Sequence, residues 1–103
     1  MKVFISMPMN GVSQEQFNES WGRCTQKVLA EFPDAQIINS IISENYTGTP
    51  SSIGIRYLAE SLRLMADADL VFFARDWQTS RGCFNERNVA QGYGKAIMDE
   101  SVE

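Results

Sequence analysis

The sequence predicts an α/β fold: a single-domain three-layer αβα sandwich with a short, mostly parallel sheet in a Rossmann-like, flavodoxin-like order. Two observations predict it. Four short apolar runs are typical of strands, and three helical patterns alternate with them in the order β-α-β-α-β-α-β. Strands that alternate with helices pair in parallel through right-handed crossovers, which cover both faces of the sheet with helices. The length, 103 residues, is that of one domain.

The strands are short and bounded by turn residues. They are predicted at residues 3–6, 35–39, 70–74 and 95–98. The Asn10-Gly11 pair lies in the loop after the first strand, and Gly94 precedes the last one. The domain is expected to end with the last strand, at residues 1–98, and residues 99–103 are expected to form a frayed acidic tail.

Each helix has a start signal. Ser13 with Gln16 three residues later is a capping-box pattern, so the first helix is expected from there to about Glu31. The second helix is expected to be capped by Ser51 or Ser52, and the third to begin near Ser80 or Arg81. Residues 40–52, rich in Gly, Pro and Ser, are expected to form a loop. A loop of that length in so small a domain is more often functional than not.

Composition excludes several classes of function. The formal net charge of −4 argues against a nucleic-acid polymer or an anionic membrane as partner. No apolar run approaches the length of a membrane span, and the N-terminus lacks a secretory signal, so a cytoplasmic protein is expected. The chain has no histidine, which removes imidazole-based triads and the usual imidazole metal ligands. Cys24 and Cys83 are too far apart in sequence for a Cys-x-x-Cys pair, and no metal site is expected.

The segment that leads into the third helix carries the clearest candidate for chemistry. An apolar strand is followed by a polar turn, Ser80 and Gly82 at the bend, and Glu86 one turn into the helix. This arrangement aims a carboxylate at the carboxyl end of the sheet, where open α/β folds bind ligands. Glu86 could attack an electron-poor carbon such as the anomeric carbon of a sugar. It could equally be an ordinary residue favoured by the helix dipole.

Two segments together resemble the nucleoside 2-deoxyribosyltransferase-like family, above all its very small phage and bacterial members. Residues 4–11 are similar to the Tyr-Ile-Ser-Gly-Pro-type opening of that family. The second half of the family motif is matched by the Ala-Asp pair before the third strand and by Trp77, Ser80, Gly82, Glu86, Ala90, Gly94 and Ile97. The resemblance covers nearly the whole chain, although residues 14–57 match only in pattern.

The resemblance implies cleavage or transfer at the N-glycosidic bond of a (deoxy)nucleoside or nucleoside 5′-monophosphate, with no cofactor. It implies that Glu86 is the nucleophile and that Ser80 contacts the sugar or its phosphate. Family members are typically homodimers or larger oligomers, so a homo-oligomer is expected. Asp76, at the end of the third strand, is either the catalytic partner of Glu86 or a turn residue.

The remaining candidates are substrate-binding residues. They are Phe4, Ser6, Met7, Asn10, Gly11, Trp77, Ser80, Arg81 and Gly82. Trp77 is expected to stack on a base, or else to cover the sheet edge. Arg81 could hold a phosphate or form a surface ion pair. Backbone amides at Asn10 and Gly11 could approach a phosphate, although an Asn-Gly turn is common without one.

Three positions depart from the family pattern. Phe4 stands where relatives have a tyrosine whose hydroxyl helps to hold the nucleophilic glutamate. Met7 replaces a loop glycine, and Ser61 falls where many relatives carry an aspartate; Glu60 beside it is expected to point elsewhere on the helix.

These departures keep a second hypothesis open, a non-catalytic nucleotide-binding module on the same fold. A third is a Toll/interleukin-receptor-like NAD hydrolase, because residues 3–6 and the Cys83-x-x-Glu86 spacing are similar to motifs of that family.

Overall fold

The computed structural model describes residues 1–101. Its elements are β1 (Lys2–Ser6), α1 (Gln14–Glu31), β2 (Gln36–Ile37), α2 (Pro50–Ala66), β3 (Leu70–Phe73), α3 (Arg81–Gly92) and β4 (Ala96–Asp99), with one turn of 3-10 helix at Trp77–Thr79. The strands pair in parallel in the order β2-β1-β3-β4. The predicted α/β fold with a parallel sheet is confirmed.

The two faces of the sheet pack against different helices, which makes the three layers. Val3 and Ile5 of β1 pack with Cys24 and Val28 of α1 on one face. The intervening Phe4 packs on the other face, in a cluster with residues of α2 and α3. Alternate residues of a strand point to opposite faces, and β1 is buried from Val3 to Ser6 because helices cover both.

The helix caps confirm one expectation and correct another. Both hydrogen bonds of the capping box at Ser13 and Gln16 are present, and α1 ends at Glu31 as predicted. The cap of α2, however, is Thr49, whose hydroxyl accepts a hydrogen bond from the Ser52 amide at 3.3 Å. The expectation that Ser51 or Ser52 caps this helix was wrong, because Pro50 occupies the first helical position, where its fixed φ and missing N–H are tolerated.

The segment after β4 is held in place where a frayed tail was expected. β4 extends to Asp99, and Glu100 is buried against α1. Its carboxylate forms ion pairs with Arg23 at 2.7 Å and Lys27 at 2.8 Å. These contacts correct the expectation for Asp99 and Glu100, and Val102 and Glu103 of the expected tail lie outside the described residues.

The loop between β2 and α2, residues 38–49, contains no helix or strand and is attached to α2. The Tyr57 hydroxyl donates to the Glu44 carbonyl at 3.0 Å, and Arg56 donates to the Thr47 carbonyl at 2.9 Å. The Tyr46 ring packs edge-to-face on Tyr57 with centroids 4.9 Å apart. These contacts hold the loop against the first turns of α2. Within residues 1–101, no helix is long and apolar enough to cross a membrane.

Candidate active site

A cleft of about 1400 Å³ lies at the carboxyl edge of the sheet. It is lined by the loop after β1, by the loop before α2 together with α2 itself, and by the first turns of α3. From β1 the chain moves to β2 on one side, and β3 pairs with β1 on the other. This reversal of direction is where open parallel sheets leave a crevice for ligands. The cleft therefore occupies the position that the fold favours for binding.

Glu86 is the buried carboxylate of this cleft. It lies in the second turn of α3 and only 6% of its surface is exposed. The buried hydroxyl of Ser6, at the end of β1, donates a 2.8 Å hydrogen bond to Oε1 of Glu86. Among residues 1–101, no group hydrogen-bonds to the other carboxylate oxygen, Oε2, and Glu86 lines the cleft. One oxygen is thus fixed by the protein and the other is available to a ligand.

Burial raises the pKa of Glu86 to about 7, and the hydrogen bond from Ser6 opposes that rise. Removal from water disfavours the charged carboxylate, whereas a donated hydrogen bond favours it. A carboxylate with this pKa exists in both protonation states near neutral pH. Such perturbed groups in clefts are candidates for catalysis.

The start of α3 contributes three residues to the cleft, Ser80, Arg81 and Gly82. The Ser80 hydroxyl caps the helix by accepting a hydrogen bond from the Cys83 amide at 3.3 Å. Arg81 is exposed, so its guanidinium can reach a ligand. At Gly82 a Cβ atom would meet only the Ser80 Oγ, at 3.7 Å, which is an ordinary contact. This glycine is therefore not required by local packing.

Four further residues from the sequence analysis meet in the same cleft. Met7 and Asn10 line it from the loop after β1, and Asp76 lines it from the loop after β3. The Asp76 side chain makes no capping hydrogen bond to the 3-10 turn that follows it. Ser61 lines the cleft from α2, whereas its neighbour Glu60 forms a 2.6 Å ion pair with Arg63, so the expectation that Glu60 points elsewhere holds.

Four predicted substrate contacts do not line the cleft, namely Phe4, Ser6, Gly11 and Trp77; Ser6 lies beneath it, against Glu86. Phe4 is buried in the core beneath α2 and α3. Gly11 has a φ of +79° and serves the turn that leads into α1. Of the two alternatives for Trp77, a wall of the cleft that stacks on a base or a cover for the sheet edge, the first does not fit its position. Its ring packs at 5.9 Å from the ring of Phe73, and the guanidinium of Arg87 lies over it at 4.4 Å.

One side of the cleft was missed by the sequence analysis. It is an apolar wall made by the loop before α2 and by α2 itself, with Ile41, Ile42, Ile53, Tyr57 and Leu58. The available signal was the pair of isoleucines in an otherwise polar loop, because apolar residues there need a partner or a ligand. Among residues 1–101, no group of three or more Cys, Asp or Glu side chains is placed to hold a metal ion.

The fold and the cleft together define an αβα domain with a buried carboxylate at the ligand edge of its parallel sheet. The chain belongs to the family described as a domain of unknown function, DUF4406, whose model matches residues 1–99. No curated protein matches the chain, and no solved structure matches it. The family description does not name nucleoside 2-deoxyribosyltransferases, so that resemblance stays a prediction.

Proposed function

We propose that this protein cleaves or transfers at the N-glycosidic bond of a (deoxy)nucleoside or its 5′-monophosphate, with Glu86 as the nucleophile. The proposal rests on the resemblance of the sequence to the nucleoside 2-deoxyribosyltransferase-like family and on the position of Glu86 in the cleft. The observation that carries it is the hydrogen bond from the buried Ser6 to Glu86, the buried carboxylate that lines the cleft. That contact restrains one carboxylate oxygen while Oε2, without a hydrogen bond among residues 1–101, remains available for attack.

In the first step, Oε2 of Glu86 attacks the anomeric carbon and the bond from that carbon to the base nitrogen breaks. The bonding electron pair leaves with the base, which takes up a proton. The transition state resembles an oxocarbenium ion, which the negative carboxylate stabilises before the covalent bond to the sugar is complete. In the second step, water or another base attacks the same carbon and releases the Glu86 carboxylate.

The proton for the departing base comes from a carboxylic acid, a tyrosine or water, because the chain has no histidine. We propose Asp76 as the catalytic partner of Glu86, since it lines the same cleft; as a carboxylate it can accept the proton of the water that attacks in the second step. Ser6 takes the part that a tyrosine has in the resembled family, because its hydroxyl holds the nucleophile where Phe4 has none. Ser80 and Arg81, which line the cleft, are the residues that we propose for contacts to the sugar or its phosphate.

The experiment that tests this proposal is the capture of the covalent intermediate. Nucleosides with fluorine at C2 of the sugar form a slowly hydrolysed glycosyl ester, because fluorine destabilises positive charge at the anomeric carbon. Intact mass spectrometry is expected to find one added sugar, located on the peptide that contains Glu86. Glu86→Gln should show no adduct, and Glu60→Gln, the same change on α2 but outside the cleft, should keep it. An adduct elsewhere, or none on the wild-type protein, would contradict the proposal.

One observation favours the alternative of a non-catalytic nucleotide-binding module. Met7 is buried in the loop where the resembled family has glycine, and it lines the cleft. A module of this kind would be stabilised by nucleosides without releasing base from them. Free nicotinamide after incubation with NAD would instead support the NAD hydrolase hypothesis.

We further propose a homo-oligomer, as the resemblance implies, and a location in the cytoplasm, where it would act on a small molecule. Exposed apolar residues at the rim of the cleft, Met9 and Ile55, support the oligomer because a second copy would cover them. Sedimentation velocity over a range of concentrations tests it, and a monomer at every concentration would contradict it.

A further inference from the structure

The charges that face the cleft limit what it can bind. Among the residues that line it in the described part of the chain, the acidic ones are Asp76 and Glu86, and the basic one is Arg81. The N-termini of α2 and α3, which both line the cleft, each add the equivalent of about half a positive charge. With Glu86 ionised, the positive groups therefore do not outweigh the two carboxylates.

Of the other cations near this edge of the sheet, Arg75 is exposed and does not line the cleft, and three more are engaged elsewhere. Arg23 and Lys27 both pair with the buried carboxylate of Glu100, at 2.7 and 2.8 Å. Arg56, on the first turns of α2, donates to the carbonyl oxygen of Thr47. None of these three lines the cleft. A ligand in the cleft therefore meets Arg81 as its cationic partner, and that side chain is exposed and screened by water.

We infer that the substrate of this site is an uncharged nucleoside, and that Asp76 and Glu86 together select against nucleoside 5′-monophosphates. This inference rests on the proposed function and narrows it. A phosphomonoester carries about −1.5 to −2 charges at neutral pH, so each carboxylate in the cleft repels it. A nucleoside presents a neutral hydroxyl at the same position, and the apolar wall of Ile41, Ile42 and Leu58 suits the face of its base.

The nucleophile adds a second reason. Burial already raises the pKa of Glu86 to about 7. A phosphate dianion beside it would raise that pKa further, because a nearby negative charge disfavours the ionised carboxylate. A smaller fraction of the bound complexes would then carry the nucleophilic form. A neutral substrate imposes no such penalty on the reaction.

The test measures binding separately from turnover. Carbocyclic 2′-deoxynucleosides of the four bases, in which carbon replaces the ring oxygen, cannot form the oxocarbenium ion and so are not cleaved. Their dissociation constants, with and without a 5′-phosphate, are measured by calorimetry at pH 8 in low salt and in 0.5 M salt. We expect at least one nucleoside analogue to bind on the order of tenfold more tightly than its monophosphate, with a smaller ratio in high salt.

The variant Asp76→Asn separates this cause from others. It is expected to lower the ratio of the dissociation constant of the monophosphate to that of the nucleoside by about fivefold, because one of the two repelling charges is removed. Asp67→Asn makes the same change at the C-terminus of α2, before β3, and so at the opposite edge of the sheet; it should leave the ratio unchanged. A monophosphate that binds more tightly than its nucleoside, or no binding of either, would overturn the inference.

A measurement of base release from natural nucleosides and monophosphates shows whether the preference for uncharged nucleosides or the glycosidic activity itself is wrong. Release that is faster from monophosphates would support the glycosidic activity and overturn the inference. Selective binding of the uncharged analogues without release from any natural nucleoside would uphold the inference about the ligand and overturn the catalytic proposal.

Discussion

Replacing Glu86 by glutamine should stabilise the protein at alkaline pH. The pKa of Glu86 is raised from an ordinary value of 4.5 to about 7 by burial. The folded state therefore holds this proton more tightly than the unfolded state does. Below pH 4.5 the group is protonated in both states and contributes no penalty. As the pH rises from 4.5 through about 7, the unfolded state releases this proton first, and the folded state must then ionise a buried carboxylate. The free energy of unfolding therefore falls over this range and stays low above it.

The size of the effect follows from the shift in pKa. At pH 8 the penalty for the wild-type protein approaches about 3 kcal/mol. Glutamine has nearly the same shape, keeps an oxygen that can accept the hydrogen bond from Ser6, and does not ionise. For a domain of this size, with a urea slope of about 1–1.5 kcal/mol per M, the unfolding midpoint of Glu86→Gln should exceed that of wild type by about 2 M at pH 8.

The assay is urea unfolding of wild type and Glu86→Gln at pH 4.5 and pH 8, at one protein concentration so that any oligomerisation is held constant. The gain should be present at pH 8 and nearly absent at pH 4.5. Glu60→Gln is the matched control and should give no gain at pH 8, because Arg63 lowers the pKa of the Glu60 carboxyl. An equal effect of Glu86→Gln at both pH values would refute the reasoning, since the carboxylate would then not be penalised by burial.

Three other predictions concern the contacts around the site and the helix ends. In wild type, base release should rise with the ionisation of Glu86 near pH 7. Ser6→Ala should move this rise to higher pH, because the hydrogen bond that lowers the pKa of Glu86 is lost. An unchanged pH profile of kcat would contradict this prediction. Glu100→Gln should cost about 1–3 kcal/mol at pH 7 by leaving buried hydrogen bonds unmet. Burial raises the pKa of Glu100, but its hydrogen bonds outweigh burial and hold the pKa at about 2. The loss of stability in Glu100→Gln should therefore be complete above pH 4.5 and shrink as the pH falls towards 2. A loss that is the same at every pH in thermal unfolding would refute this. Thr49→Ala should destabilise α2 by about 1 kcal/mol in urea unfolding, and Ser51→Ala by clearly less; the reverse order would assign the cap to Ser51.

Local signals in the sequence predicted the elements well. The capping box at Ser13 and Gln16 involves residues three apart, so its geometry depends on little besides the helix itself. The position of Glu86 is predictable for a similar reason. A strand followed by a polar turn and a helix puts the start of that helix at the carboxyl edge of the sheet. The cap of α2 is harder to predict because three hydroxyl residues, Thr49, Ser51 and Ser52, stand close together, and Pro50 at the first helical position favours Thr49.

Contacts between distant parts of the chain could not be predicted in the same way. Ser6 and Glu86 are separated by 80 positions in sequence. Phe4 and Ser6 point to the same face of β1, so the choice between them depends on how far along the strand α3 packs. That distance is set by packing across the sheet, which no local pattern contains.

The two remaining errors have related causes. Glu100 was assigned to a tail because acidic residues near a chain end are usually exposed, and the two cations that bind it lie on α1. Trp77 was placed in the cleft because it follows a strand at the ligand edge. Its ring instead packs on Phe73 and beneath Arg87, against the core cluster of that face of the sheet. In both cases the deciding partner comes from another element.

The most direct test of the central claim is a chromatographic measurement of free base. Wild type, Glu86→Gln and Glu60→Gln would be incubated at pH 8 with each deoxynucleoside and deoxynucleoside 5′-monophosphate, with and without an added acceptor base. The account predicts release of base by wild type and Glu60→Gln, and none by Glu86→Gln, which remains folded. Undiminished release by Glu86→Gln, or no release by the wild-type protein from any of these compounds, would contradict it.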